Sequence, residues 1–119
     1  MNLYDAINAH VAWKVRLRDY LDGTSEEMLD PRQVGRDDKC ELGQWIHANI
    51  AGHANKPLFK QVQLQHADFH RCAAEIVATV DSGKLADADK LLGNKYAQLS
   101  RSIVKSLTQL DRELREESA

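Results

Sequence analysis

Residues 55–82, NKPLFKQVQLQHADFHRCAAEIVATVDS, decide the fold. Apolar side chains recur there at spacings of three and four residues, which is the period of one face of an α-helix. Asn55 is a candidate N-cap, Pro57 is tolerated in a first helical turn, and Gly83 is a typical terminator. We therefore predict one long helix. Its buried face comprises Phe59, Val62, His66, Phe69, Ala73, Ile76 and Val80.

The same periodicity predicts helices on both sides of this stretch. They are residues 2–21, a shorter helix that starts near Asp38 or Lys39 and breaks at 51–55, a short segment at 84–92 ending near Gly93, and residues 94–117. Residues 23–39 are polar and aperiodic and contain Pro31, so they are predicted as a connection. No stretch alternates with period two. The pattern indicates an all-α protein, an antiparallel four-helix bundle with an additional short helical segment.

Length and charge restrict the classes of function. The 119 residues form one domain over residues 1–119. With 16 Lys and Arg against 18 Asp and Glu, the net charge of -2 provides no basic surface for nucleic acid. No stretch approaches the roughly 18 apolar residues of a membrane span, so we expect no direct membrane contact. Asp5 interrupts any signal-like start, which predicts a cytoplasmic protein.

Three histidines lie where an apolar face is expected. His10 and His66 occupy stripe positions typical of leucine, and His70 follows His66 by one helical turn. A buried imidazole without a hydrogen-bond partner costs roughly 1–3 kcal/mol. Each could be a core histidine bonded to a backbone carbonyl or a carboxylate. The H-x-x-x-H pair together with a further inward histidine favours a metal.

The two cysteines differ in their predicted surroundings. Cys40 lies at the start of the second helix, where a thiolate combined with imidazoles favours Zn²⁺ over Mg²⁺ or Ca²⁺. The helix N-terminus and a cation would both lower its pKa. Cys72 is about 200° around its helix from His70, so we interpret it as a small buried hydrophobe.

Other notable side chains receive simpler interpretations. Trp13 and Trp45 are expected to pack in the core, and Gly43 in mid-helix indicates a close approach of another backbone. We expect His47 and His53 to be solvated. His47 is a spare ligand if His10 is not one.

Three strings together resemble a known family. They are AHVAWKVRL (9–17), CELGQW (40–45) and HADFH (66–70), and in this order they are similar to the chemoreceptor zinc-binding (CZB) domain. The resemblance covers essentially the whole chain. It implies one zinc ion bound by His10, Cys40, His66 and His70.

The resemblance also implies a role. CZB domains are cytoplasmic sensors attached to bacterial chemoreceptors or diguanylate cyclases, in responses to zinc or to oxidants such as hypochlorous acid. It therefore implies a redox-reactive Cys40 and a signalling output domain as partner, in cis or in trans. The W-K-x-R-L string at residues 13–17 is more similar to the chemoreceptor branch of the family than to its cyclase branch. A homodimer is expected from the family and from apolar residues predicted to be exposed, among them Val11, Val15, Leu64 and Val104.

The alternative is a zinc-dependent hydrolase. Such a site needs three protein ligands, an open fourth position and a general base, as in H-E-x-x-H. Here four ligands are available, and Ala67, Asp68 and Phe69 lie between the paired histidines, with Asp68 expected to point away. We therefore predict that the protein is not an enzyme.

Overall fold

Helices account for all regular structure in the computed structural model, which describes residues 2–118. No strand occurs within this range, so the all-α prediction is confirmed. No helix in it is long and apolar enough to span a bilayer. The elements are α1 (Leu3–Asp22), α2 (Pro31–Val34), α3 (Glu41–His53), α4 (Pro57–Asp81), α5 (Leu85–Leu91), a π-helical turn (Leu92–Tyr96) and α6 (Ala97–Ser118).

The long helix α4 is the centre of the structure. It contacts each of the other five α-helices, and α1 also packs on α6. The molecule is elongated, with extents of 50 × 22 × 22 Å. The predicted apolar face of α4 is buried from Phe59 to Ile76, whereas Val80 is only partly buried.

The start of α4 differs by one residue from the prediction. Lys56 rather than Asn55 is the N-cap, and it makes no side-chain capping hydrogen bond. The residue before a proline is driven to extended backbone, and Lys56 has φ -97° and ψ 112°. Pro57 therefore sets the boundary. The Lys56 ammonium pairs with Glu117, which ties this end of α4 to the end of α6.

The connection at residues 23–39 is more ordered than predicted. It contains α2, which begins at Pro31 and is capped by Asp30, whose carboxylate accepts from the Arg32 N–H at 3.0 Å. The following helix begins at Glu41, later than the predicted Asp38 or Lys39. It also continues through the predicted break at 51–55 as far as His53, because Gly52 adopts helical backbone there.

The predicted interruption at Gly93 is also wrong. Gly93 lies inside the π-helical turn, which joins α5 to α6 without a break. It does not adopt a positive φ, unlike Gly23 (76°) and Gly83 (79°), which end α1 and follow α4. The wider turn buries both Leu92 and Tyr96.

A tight contact between α3 and the preceding loop depends on Gly43. A Cβ atom at this position would lie 1.6 Å from the carbonyl oxygen of Asp37. The predicted close backbone approach is therefore present, and it holds the loop against the first turn of α3.

We expect Gly43→Ala to destabilise the chelator-treated domain by about 2 kcal/mol, because overpacking against backbone outweighs the gain in helix propensity. The matched control is Gly52→Ala, since a methyl group added there would have nothing within 4 Å of it. This second substitution should stabilise the domain by about 1 kcal/mol. Urea unfolding measures both changes, and equal effects would contradict the contact.

Candidate metal centre

The four predicted residues meet inside the protein. His10 comes from α1, His66 and His70 come from α4, and Cys40 is the N-cap of α3. One ligand atom from each lies within 4.8 Å of all the others. The three histidines are 1–3% exposed, and Cys40 is half-buried.

The separations among the ligand atoms of Cys40, His66 and His70 suit a tetrahedral ion. Cys40 Sγ is 3.2 Å from His66 Nε2 and 3.6 Å from His70 Nε2, and the two Nε2 atoms are 3.0 Å apart. Zinc bonds of about 2.0–2.1 Å to nitrogen and about 2.3 Å to sulfur give tetrahedral edges near 3.3 Å between nitrogens and near 3.6 Å from nitrogen to sulfur. These three donors are therefore spaced for Zn²⁺, and the full set of three imidazoles and one thiol suits its chemistry.

Two main-chain carbonyls determine which nitrogen of the imidazole faces the cluster. His10 Nδ1 donates to the Ala6 carbonyl at 2.7 Å, and His70 Nδ1 donates to the Val34 carbonyl at 2.9 Å. The proton therefore sits on Nδ1 and leaves a lone pair on Nε2 in both rings. His10 Nε2 is buried without a hydrogen-bond partner. Lone pairs converging in this way favour a cation between them.

Burial keeps these imidazoles neutral. It lowers the pKa of His10 to about 4 and that of His66 to about 2, and it lowers the pKa of His70 against the opposing effect of the Val34 carbonyl. Neutral imidazole is the form that binds a metal. The rings are thus ready to bind at physiological pH.

Without metal the pKa of the Cys40 thiol is raised overall, although the N–H groups at the start of α3 lower it as predicted. Burial raises its pKa, and this effect exceeds the lowering by N–H groups of the first helical turn, among them that of Gly43, which donates to Sγ at 3.3 Å. Zinc binding would therefore release the thiol proton.

Aromatic packing closes the inner side of the cluster. The Phe69 ring lies 5.1 Å from His10, 5.7 Å from His70 and 5.2 Å from Tyr96. Cys72 is buried outside the ligand cluster, and burial raises the pKa of its thiol to about 11. Its interpretation as a small hydrophobe agrees with this position.

The remaining singled-out residues lie outside the cluster. Trp13 and Trp45 are only partly buried against the core. Contrary to the prediction, His53 is not fully solvated, because it packs beside Trp45 and Phe59 with a buried Nδ1. His47 is 44% exposed, as expected.

Asp68, the carboxylate between the paired histidines, points away from them. Its side chain is 50% exposed and pairs with Arg71. It is therefore not placed to act as a general base beside the cluster.

Comparison with protein families identifies the domain. A family model described as the chemoreceptor zinc-binding domain matches residues 10–77, more than half of the chain, and this region contains all four cluster residues. The chain belongs to the CZB family. CZB is a regulatory zinc-binding family rather than a catalytic one, and zinc is the metal that suits the cluster. Searches of curated proteins and of solved structures returned no match.

We expect the chelator-treated CZB domain to lose stability on acidification. The unfolded chain binds protons at these histidines near pH 6.5, whereas folded His10 binds one only near pH 4. The stability that neutral imidazoles contribute is thus complete above about pH 6.5 and is lost as the pH falls toward 4, at about 1.4 kcal/mol per unit of lowered pKa. Thermal unfolding at pH 7.5 and pH 5 measures the loss, and His10→Gln should reduce it. An unchanged Tm would contradict the burial of neutral rings.

Proposed function

We propose that His10, Cys40, His66 and His70 bind one Zn²⁺ and that residues 1–119 form a single regulatory sensor domain. The observation that carries this proposal is the convergence of three imidazole nitrogens and one sulfur within 4.8 Å, in a member of a zinc-binding family. Zinc here would hold α1 and α4 to the N-terminus of α3. Its chemistry is that of a Lewis acid that binds the thiolate and neutral imidazoles.

Cys40 gives the site its capacity to respond. It is the most exposed of the four ligands, and a zinc-bound thiolate reacts with small electrophilic oxidants. With hypochlorous acid, the sulfur gains the oxygen, chloride leaves, and the product is a sulfenic acid. A sulfenic acid binds zinc less well than a thiolate, so oxidation and zinc release are coupled. Zinc level and oxidant therefore act on the same sulfur.

The packing provides a route from the site to the rest of the domain. Cys40 caps α3, and the Val34 carbonyl of α2 receives the hydrogen bond from His70. Loss of the ion would release both elements from α4. We propose that a signalling output domain of a chemoreceptor or a diguanylate cyclase, in cis or in trans, detects this change and controls chemotaxis or cyclic-di-GMP synthesis in the cytoplasm.

Four protein donors favour regulation over hydrolysis. A catalytic zinc site keeps one position open for water, and this cluster offers a complete tetrahedral set. The nearest carboxylate in sequence to the paired histidines, Asp68, is engaged by Arg71.

We expect Cys40→Ser to weaken zinc binding by more than the roughly 10–100-fold that loss of an outer-shell partner costs, because it removes the thiolate itself. The domain should still fold through the core around α4. Zinc competition titrations and helical circular dichroism measure the two effects, and wild-type protein should hold one zinc ion per chain.

Cys72→Ser is the matched control for this experiment. It should keep both the affinity for zinc and the coupled loss of zinc on treatment with hypochlorous acid, since Cys72 lies outside the cluster. Mass spectrometry that finds Cys72 oxidised while Cys40 remains an intact zinc thiolate would contradict redox sensing.

The assembly we propose is an antiparallel four-helix bundle that forms a two-fold homodimer. On α1, Tyr4, Val11 and Val15 are spaced by seven and four residues, and each is at least 50% exposed. Leu64 of α4 is also 59% exposed, whereas Val104, expected to be exposed, is partly buried. The exposed stripe of α1 is the part of this surface that we expect a second copy to cover.

Light scattering of the wild type at about 100 μM should therefore give the mass of a dimer. Val15→Asp should shift the protein toward monomer, because it places a charge in the stripe. Leu85→Asp changes another exposed side chain, 50% accessible and on α5, and should leave the mass unchanged. A wild-type protein that is monomeric at this concentration would contradict the proposed homodimer.

A further inference from the structure

The buried cluster has one side through which zinc can reach it. His10, His66 and His70 are at most 3% exposed, and Cys40 is the ligand that remains partly accessible. Phe69 packs against His10 and His70 on the interior side. Among the four ligands, Cys40 is thus the one that solvent, and an entering ion, can reach.

Two further ligand-type side chains flank this opening. Cys40, Gly43 and His47 follow one another at spacings of three and four residues, so they share a face of α3. The Asp37 backbone packs on Gly43, in the middle of that face. This contact brings the Asp37 carboxylate to the His47 ring, with Nε2 and Oδ1 3.6 Å apart.

The two side chains are within ion-pair distance, and their spacing also suits a shared metal ion. A separation of 3.6 Å is longer than a normal hydrogen bond but close to the ~3.4 Å between a nitrogen and an oxygen that bind the same tetrahedral zinc ion. Both side chains face solvent, with 44% of His47 and 31% of Asp37 exposed. Within residues 2–118 neither makes another side-chain hydrogen bond or ion pair. The neighbouring Asp38 differs, since Arg36 binds both of its oxygens.

We propose that His47 and Asp37 form a zinc loading site, which captures hydrated Zn²⁺ at the surface and transfers it to Cys40. The proposal rests on the proposed function, because it needs the buried cluster as the final zinc site. Two protein ligands with water in the other positions bind zinc weakly, so the ion resides at the four-ligand cluster at equilibrium. A transfer site lowers the activation barrier that zinc uptake and zinc release share. Both rates therefore change by the same factor, and the affinity of the four-ligand cluster for zinc is unchanged.

The test measures zinc uptake and release separately. Chelator-treated protein is mixed with zinc in a stopped-flow instrument with a competing fluorescent chelator, and release is followed from the loaded protein. His47→Gln and Asp37→Asn should each slow uptake about tenfold and slow release by the same factor. The equilibrium affinity and the stoichiometry of one zinc ion per chain should stay as in the wild type.

Glu41→Gln is the matched control, because it removes the same charge from the exposed first turn of α3 without touching the pair. It should leave both rates within twofold of the wild type. Unchanged rates in the His47 and Asp37 variants would overturn the loading site, and so would equal slowing by Glu41→Gln. A loss of affinity equal to the loss of uptake rate would also overturn it, since the pair would then belong to the resting site. Failure of the wild type to bind one zinc ion would instead refute the proposed function.

Discussion

Three neutral imidazoles and one thiol meet in the interior, and the rest of the structure depends on this costly arrangement. The Nε2 lone pair of His10 points into space that holds no protein donor, and the Nε2 atoms of His66 and His70 are 3.0 Å apart. A buried acceptor without a donor is unfavourable, and His10 Nε2 is such an acceptor. Burial lowers the pKa of His10 and so opposes its protonation. A metal ion in the cluster would be the partner that satisfies this nitrogen.

Three of the helices supply the four side chains of the site. The central helix α4 presents two histidines one turn apart, and α1 brings His10 against them. The N-cap position of α3 brings a sulfur to the same point, and it can do so because Gly43 lets the Asp37 carbonyl come closer than any Cβ would allow. The packing of a loop on one glycine thereby governs the position of the thiol.

Much of the site could be predicted from the sequence, because a histidine in an apolar stripe is a visible exception. His10 and His66 stand out in this way, and the motifs around Cys40 and His70 are specific to one family. Less visible features were missed. The Asp30 cap and Pro31 are a local signal for α2 that the polar composition of the loop obscured, whereas the π-helical turn has no comparable sequence signal. The packing of His53 and the pairing of Asp37 with His47 are tertiary contacts, and helical periodicity carries no information about either.

The hydrogen bonds that orient His10 and His70 end on the carbonyls of Ala6 and Val34, and therefore on the main chain. Every amino acid supplies the same oxygen. The side chains at these two positions are thus free to vary during evolution as far as this task is concerned, provided that the local helical turn persists. Comparison of residue identities among CZB domains would then detect the ligands and overlook the groups that aim them. The position of these two carbonyl groups is determined by the path of the backbone.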